Sequence, residues 1–379
     1  AASDVYKRQD LIMVRLKNNT TSIFDKNPLN DVAGLWGLRI LLNLNGLSSL
    51  SSFCLTNDGA LLRTFGMGEL EGSDIEKNEF AKKLREKQAW YEKMNPDIRG
   101  ILKHNLKSFA KLVGLSKTEV QVLGFAVTIY SHRGLENTAD NLGNLNGSDV
   151  IRYLSVILGV PVKKIQKALD SKGVLSSSGV LRLSKNGNTY LRNKLDLMRG
   201  LDDILQEPQS SELGMVRDYF QAAQNSNLVA DDYKHISDDY SLLSKYLSKA
   251  STHRLTGVNI LIHGRPGTGK SELVKTLSED LGFNLYEISV TDRDGDALAG
   301  NNRFTSYQLS QKILARQKKC LVLFDEVEDV FPNNGMDIFG VKNNSDRRKA
   351  WVNRLLAVSY THLRAHETTS HIAYAVFCL

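Results

Sequence analysis

The chain has 379 residues, of which 41% are hydrophobic and 24% charged, a composition typical of a soluble globular protein with two or three domains. Its formal net charge of +7 permits contact with nucleic acid or acidic lipid without requiring it. Three widely spaced cysteines without a CxxC pair argue against a disulfide framework or a zinc site and are typical of a reducing cytosol.

The N-terminal part predicts helices and no membrane span. Residues 1–9 lack periodicity and resemble translated sequencing-adapter read-through, so we treat them as a non-native tail. Residues 10–115 are predicted to form a helical region, with helices over 31–50 and 73–111 and a break at Pro96. The most apolar window there contains Arg39 and several polar residues, which excludes it as a membrane span. A cytoplasmic protein is therefore expected, and because its first residue is Ala, a fragment or processed product.

Residues 116–200 follow the layout of a winged helix-turn-helix. A capping box at Ser116 and Glu119 predicts a helix through Tyr130, and Ser148 is expected to cap a second helix through Leu158. A tight turn then leads to a helix over 162–171, and 174–183 is expected to form a two-stranded hairpin. In such a module the last helix can enter a DNA major groove.

The predicted last helix is basic and is therefore a possible DNA contact. Lys163, Lys164 and Lys167 are candidate phosphate-contacting residues, with Lys172 just beyond them. Only Gln166 has a side chain suited to a bidentate base contact. The alternative is that these lysines form the solvated face of a small domain that docks on protein.

Residues 201–255 are predicted to be a linker followed by a lead-in helix. The stretch 206–228 has linker composition, although its apolar residues hint at a short helix. Apolar residues at helical spacing then predict a helix within 231–253.

The motif with the clearest chemistry is GRPGTGKS, which fits the phosphate-loop pattern GxxxxGK[ST]. A β-branched run over 258–263 precedes it, and a helical pattern from Leu273 follows it. A glycine-rich turn that feeds a helix directs backbone N–H groups and the positive helix end at one point, which favours phosphate. The predicted nucleotide-binding residues are Gly264, Arg265, Pro266, Gly267, Thr268, Gly269, Lys270, Ser271 and Glu272.

A second motif, LVLFDE, places two acids directly after a buried apolar run. This Walker B pattern assigns Asp325 to a Mg²⁺ ion and Glu326 to the attacking water. Lys270 is expected to neutralise phosphate oxygens, and the Ser271 hydroxyl to ligate the Mg²⁺. The predicted catalytic residues are thus Glu326 and Lys270, the predicted metal ligands are Ser271 and Asp325, and the predicted cofactors are ATP and Mg²⁺. The alternative for the two acids is an N-cap at the following turn.

Together, GRPGTGKS and LVLFDEVEDVF, with Asn353 and Arg354-Leu355-Leu356 further on, resemble the AAA+ ATPase family over about 257–356. From its residue patterns the chain is expected to be multidomain, with a mainly α N-terminal region that contains a winged-helix-like module. For the part that follows, the resemblance implies a truncated α/β P-loop NTPase core, 256–356, with a parallel sheet. It also implies ATP hydrolysis coupled to remodelling of a protein or nucleic-acid partner, commonly in a homo-oligomeric ring with catalysis at subunit interfaces.

Two stretches depart from the family pattern. Family unfoldases usually carry an aromatic residue on a pore loop, whereas 292–300 is acidic and has none; Phe304 and Tyr307 are expected to be core residues instead. After 356 the family needs a sensor strand, an arginine finger and a lid, but 357–379 resembles adapter read-through. We therefore expect poor hydrolysis from the chain as it stands. Arg347 and Arg348 are poor candidates for the finger, and a metal site at His362, His366 and His371 is disfavoured.

Two functional hypotheses follow. The leading one is an ATP-dependent remodelling ATPase whose N-terminal region recognises a partner. The other is a DNA-binding regulatory switch controlled by ATP binding. A third use of 116–200, as a docking surface alone, remains open.

Overall fold

The computed structural model describes residues 27–49, 59–73, 75–185, 187–253, 255, 258–265, 267–298, 300–317, 319–326 and 373–378. The chain divides into two compact units, 1–210 and 211–379. Among the described residues, no helix combines the length and the apolar composition needed to cross a bilayer.

The first unit is mainly helical, with one small sheet. In chain order its regular elements are α1 (Asn30–Asn43), α2 (Gly59–Thr64), α3 (Lys77–Met94), α4 (Gly100–Val113), α5 (Lys117–Ser131), α6 (Arg133–Asp140), α7 (Gly147–Leu158), α8 (Val162–Ala168), α9 (Val174–Ser177), β1 (Leu181–Leu183), α10 (Leu191–Lys194), β2 (Leu195–Leu197) and α11 (Leu201–Gln206). Short 3₁₀ turns lie at Gly46–Ser49 and Gly68–Leu70.

One core of this unit forms between α1, which is buried along most of its length, and apolar residues of α2 and α3. Leu38, Leu62, Phe65, Phe80 and Leu84 are inaccessible to solvent within it. The helical stretch predicted over 73–111 forms two helices, and the predicted break at Pro96 is confirmed, because 95–99 is not helical.

The capping box that opens α5 is confirmed. The Glu119 amide donates to Ser116 Oγ over 3.4 Å, and the Ser116 amide donates to Glu119 Oε2 over 2.8 Å. Glu119 Oε1 also accepts the Val174 amide over 3.1 Å, so this one buried carboxylate joins the start of α5 to the start of α9.

Replacement of Glu119 by Ala is expected to lower the free energy of unfolding by about 2 kcal/mol, because the amides of Ser116 and Val174 lose their charge-assisted acceptor. Ser116→Ala removes the hydroxyl that accepts the Glu119 amide and should cost about 1 kcal/mol. Urea denaturation followed by circular dichroism measures both. The control is Glu79→Ala on the exposed face of α3, for which about 0.5 kcal/mol or less is expected; equal losses at Glu79 and Glu119 would contradict the assignment.

Two details of the predicted winged-helix layout are wrong. Asn146, not Ser148, caps α7: its side chain accepts the amides of Ser148 and Asp149. The predicted hairpin over 174–183 does not form, because α9 occupies its first half. Instead β1 pairs antiparallel with β2, with Leu181 opposite Leu197. A helix-turn-helix followed by a two-stranded sheet is thus present, and winged-helix identity stays a prediction.

The second unit is an α/β sandwich. Its elements are β3 (Phe220–Ala222), α12 (Ser237–Thr252), β4 (Asn259–Gly264), α13 (Lys270–Asp280), β5 (Asn284–Ile288), α14 (Gly300–Leu314), β6 (Cys320–Asp325) and β7 (Ala373–Cys378). Short 3₁₀ turns lie at Gly214–Val216 and Ala230–Ile236. Leu321 and Leu323 on β6 pack with Val274 of α13 and Leu247 of α12, which places the core between sheet and helices.

The sheet order is β3-β5-β6-β7-β4. Among the described strands, β5 and β6 are parallel, β3 pairs antiparallel with β5, and β7 pairs antiparallel with both β6 and β4. The described sheet is therefore mixed, where a parallel sheet was predicted. Part of the predicted linker over 206–228 forms the edge strand β3. The sequence does not predict this strand, because three residues give almost no periodic signal.

Candidate functional site

The phosphate-loop motif forms the connection from β4 to α13. Gly267 and Gly269 adopt positive φ angles of 74° and 78°, a left-handed conformation that glycine adopts without strain. A Cβ added at either position would have no atom within 4 Å. Glycine is therefore required by the backbone conformation and not by a lack of space. Thr268 Oγ1 donates to the Arg265 carbonyl over 2.8 Å and closes the loop. Pro266 lies outside the described residues.

Lys270 begins α13, and its ammonium lies over the same loop. Its Nζ donates to the carbonyls of Gly264 and Arg265 over 3.2 and 3.0 Å. The N-terminal amides of α13 and this ammonium therefore lie in one small region of positive potential. Such a region attracts phosphate.

Asp325 stands at the end of β6, beside the start of α13. Its Oδ2 accepts the Ser271 hydroxyl over 2.5 Å, which joins the two sequence motifs directly. A hydroxyl and a carboxylate oxygen in contact beside a phosphate loop are the donor set that Mg²⁺ prefers. The residues present therefore fit a magnesium ion held jointly with phosphate oxygens.

Glu326 follows in an unusual backbone conformation. Its φ is +49°, in the left-handed region, and its amide donates to Asp325 Oδ1 over 3.0 Å. The residue is exposed, whereas Leu321 to Phe324 before it are buried. A buried strand thus ends in two adjacent carboxylates, the second of which is open to a water molecule.

The carboxylate of the nearby Glu272 binds Ser226, Asn227 and Lys275. One of its oxygens accepts the Asn227 amide over 3.0 Å and the Ser226 hydroxyl over 3.2 Å, and the other accepts Lys275 Nζ over 3.1 Å. Hydrogen bonding from the Asn227 amide, together with Lys275, holds the pKa of the Glu272 carboxyl below its ordinary value of 4.5. Its predicted role in nucleotide binding stays a prediction.

Because the pKa of Glu272 is lower in the folded protein, its carboxylate stabilises the fold fully above about pH 4.5 and loses that effect as the pH falls through the folded-state pKa. Glu272→Gln is expected to flatten the acid side of the curve of stability against pH below pH 4.5, with little change in its shape at pH 7 to 8. Urea midpoints measured from pH 3 to 8 test this. The control, Glu86→Gln on an exposed face of α3, should leave the curve unchanged; the same flattening in both variants would contradict it.

Sequence reasoning missed two features of this unit. The stretch from Ser226 to Leu228 is fastened to α13: the Ser226 amide donates to Glu279, and Thr276 Oγ1 donates to the Leu228 carbonyl. Arg303 of α14 is buried and donates to the carbonyls of Asp325 and Glu326. Neither feature has a sequence signal, because both depend on pairs separated by more than twenty residues.

Other predicted residues are placed as follows. Phe304 and Tyr307 are buried against Phe324, which confirms them as core residues. In the acidic stretch, Asp292 Oδ1 accepts the amides of Asp294 and Asp296. Outside the described residues lie Arg347, Arg348, Asn353, Arg354, Leu355, Leu356, His362, His366 and His371.

Residues 260–374 match the model of the family described as ATPase family associated with various cellular activities (AAA). Over these residues the chain is similar to the AAA family of ATPases. The match runs past residue 356 into the stretch predicted to be non-native, and its last two residues, 373 and 374, are the first two of β7. The truncation and the adapter origin of both termini stay predictions.

Curated relatives agree at the level of the family. A putative cell division cycle ATPase of Plasmodium falciparum is 22% identical over 69% of this chain and 23% of its own length. The ATP-dependent zinc metalloprotease FTSH 8, chloroplastic, of Arabidopsis thaliana is 25% identical over 38% of this chain and 22% of its own. The peroxisomal ATPase PEX1 of Cricetulus griseus is 33% identical over 22% of this chain and 6% of its own. The matched region thus spans less than a quarter of each of these relatives. No solved structure matches the chain.

Proposed function

We propose that this protein binds ATP with Mg²⁺ and hydrolyses it to remodel a protein or nucleic-acid partner. The observation that carries the proposal is the 2.5 Å contact between Ser271 Oγ and Asp325 Oδ2, which brings the phosphate loop and the acidic strand end into one site. When bound, Mg²⁺ would neutralise phosphate charge and orient the terminal phosphoryl group.

The chain's own residues would divide the work. The amides from Gly267 to Lys270 bind phosphate oxygens, and Lys270 exchanges its contacts with loop carbonyls for contacts with phosphate. Ser271 and Asp325 hold the metal. Glu326, exposed beside them, orients water for in-line attack and accepts its proton.

Further parts of the proposal extend beyond this site. The core is assigned to 256–356, preceded by the helical region 10–115, the winged-helix-like region 116–200 and the linker with lead-in helix at 201–255. We place the protein in the cytoplasm and in a homo-oligomeric ring. The names of the relatives, a cell division cycle ATPase and a peroxisomal ATPase among them, are compatible with partner remodelling.

The direct test is release of phosphate from ATP by the chain, measured with Mg²⁺ and with EDTA. Turnover that requires Mg²⁺ and rises with a protein or DNA partner supports the proposal. A chain that neither binds nor hydrolyses Mg·ATP at millimolar nucleotide refutes it.

The second candidate function is a DNA-binding switch controlled by ATP binding. It is favoured by one observation: Lys163, Lys164 and Lys167 are all exposed on α8, while Ile165 and Ala168 of the same helix are buried. An exposed basic face on the second helix of a helix-turn-helix is suited to DNA phosphates.

Fluorescence anisotropy with duplex DNA across a salt series tests this candidate. Substitution of these three lysines by Glu should weaken binding and reduce the slope of log K against log salt by about 3. A charge-matched triple variant at Lys77, Lys82 and Lys93 on α3 serves as the control. Equal effects of the two triples, or no retention of DNA at low salt, would instead support a docking surface for protein.

A further inference from the structure

Arg303 is a buried charged residue that has no assigned role in the proposed binding and hydrolysis of ATP. It lies on α14, where its side chain is 1% exposed. A guanidinium group is costly to bury unless its N–H groups find acceptors. Here Nη1 donates to the Glu326 carbonyl over 3.0 Å, Nη2 donates to the Asp325 carbonyl, and the guanidinium carbon lies 4.7 Å from the centre of the Phe324 ring.

These acceptors belong to the two residues that carry the site's carboxylates. The two N–H donors of one rigid planar group hold consecutive peptide carbonyls, so they fix the orientation of the peptide between them. On the other side of that peptide, the Glu326 amide donates to Asp325 Oδ1. The direction of both carboxylates is thus tied to the arginine.

The backbone at this point needs such support. Glu326 has a φ of +49°, a conformation that residues with a Cβ rarely adopt and that persists only where surrounding contacts impose it. An extended continuation of β6 would turn the Glu326 side chain in another direction. It would also break the hydrogen bond from the Glu326 amide to Asp325 Oδ1. The arginine contacts favour the turned conformation.

Packing alone does not account for a charge at this position. Phe304 and Tyr307 on the same helix already contact the Phe324 ring, with centroids 5.7 and 5.9 Å away. An apolar side chain beside them would fill the space without the cost of desolvating a charge. What only arginine supplies is the paired donor for the two carbonyls.

We propose that Arg303 is a positioning residue for ATP hydrolysis: it holds the Asp325–Glu326 turn so that Asp325 faces the metal and Glu326 faces the attacking water. This inference rests on the proposed function. It predicts that loss of the paired guanidinium donors (the fork) impairs metal binding and the chemical step, and leaves the phosphate loop unaffected.

The informative variant is Arg303→Lys, which keeps the charge and removes the fork, with Arg303→Met as the apolar counterpart. Ile313→Val, buried on the same helix, is the control for loss of packing. Three quantities are measured on the whole chain: hydrogen–deuterium exchange of the peptide Cys320–Glu326, the Mg²⁺ midpoint for binding of a fluorescent ATP analogue, and kcat with KM for ATP.

For Arg303→Lys we expect faster exchange in Cys320–Glu326, a Mg²⁺ midpoint raised about tenfold and kcat lowered about tenfold or more. The metal-free affinity for the analogue should stay within about twofold of the parent, because the phosphate loop is untouched, whereas the KM for Mg·ATP should rise with the Mg²⁺ midpoint, because the two affinities are linked. Arg303→Met should show the same pattern at least as strongly. The exchange and Mg²⁺ measurements do not require turnover.

Two results would overturn the inference. One is an unchanged exchange rate and Mg²⁺ midpoint in Arg303→Lys. The other is a uniform loss of stability, affinity and rate that Ile313→Val reproduces, which would make Arg303 a packing residue only. If instead the unmodified chain fails to bind the Mg²⁺ complex of the analogue, the proposed function fails first, and that outcome is visible without any Arg303 variant.

Discussion

Replacement of Lys270 by Ala is expected to weaken ATP binding by about 100-fold. The side chain would form charge-assisted hydrogen bonds to phosphate oxygens, and their loss costs about 3 kcal/mol, which corresponds to that change in affinity. The loss of affinity should come with little loss of stability, because the present partners of Nζ are two loop carbonyls, at Gly264 and Arg265, near the surface. Titration of a fluorescent ATP analogue measures the affinity, and thermal unfolding without nucleotide measures the stability.

The matched control is Lys245→Ala, which removes an exposed lysine from α12 in the same unit. Its affinity should equal that of the parent. If Lys270→Ala bound the analogue as tightly as Lys245→Ala, the phosphate loop would not be the nucleotide site. If the affinity and the melting temperature fell together, Lys270 would be a structural residue of the loop.

The loop and strand-end residues could be predicted from sequence because their signals are local. A loop that needs left-handed backbone at Gly267 and Gly269 has to carry glycine there, and a helix that begins at Lys270 directs its free amides into that loop. A buried strand that ends in two acids can equally be predicted from the sequence. The capping box at Ser116 and Glu119 belongs to the same class, since both partners lie within one helical turn.

Sequence reasoning failed where distant contacts decide the structure. The hairpin strand predicted after Gly173 does not form, because Glu119, 55 residues earlier in the chain, holds the Val174 amide and the run forms the short helix α9. Phe220 to Ala222, within the predicted linker, form a strand because β5 supplies a partner. The cap of α7 differs from the prediction for a local reason: Asn146 caps the helix in place of Ser148, because the Asn146 side chain accepts two amides at once.

In the candidate site, too, local features can be predicted from the sequence and distant contacts cannot. The identities of Ser271 and Asp325 follow from motif spacing, whereas their 2.5 Å contact depends on the packing of α13 against the sheet. Arg303 could not be recognised at all, since a lone arginine in a helical stretch is usually exposed. Its burial becomes evident only when α14 is packed beside the end of β6.

Replacement of Glu326 by Gln is expected to lower kcat by about 10²- to 10⁴-fold while ATP affinity changes by less than about threefold. The amide keeps the size of the side chain and can still hydrogen bond to water, but it cannot accept a proton at neutral pH. The turn itself should persist, because its supports involve only backbone atoms of residue 326: its amide donates to Asp325 Oδ1, and its carbonyl accepts Arg303 Nη1. Single-turnover hydrolysis of labelled ATP at enzyme excess measures the chemical step even where steady-state turnover is slow.

The control is Glu86→Gln, an exposed substitution of the same type on α3, which should hydrolyse ATP at the parental rate. Asp325→Asn provides the complementary comparison: it alters the proposed metal ligand, so its defect should be partly relieved by raised Mg²⁺, whereas the defect of Glu326→Gln should not be. Equal relief of both variants by Mg²⁺ would mean that Glu326 acts through the metal and not on the water. Parental single-turnover rates in Glu326→Gln would remove it from the chemistry, because a side chain unable to accept the proton cannot be the group that activates the nucleophile.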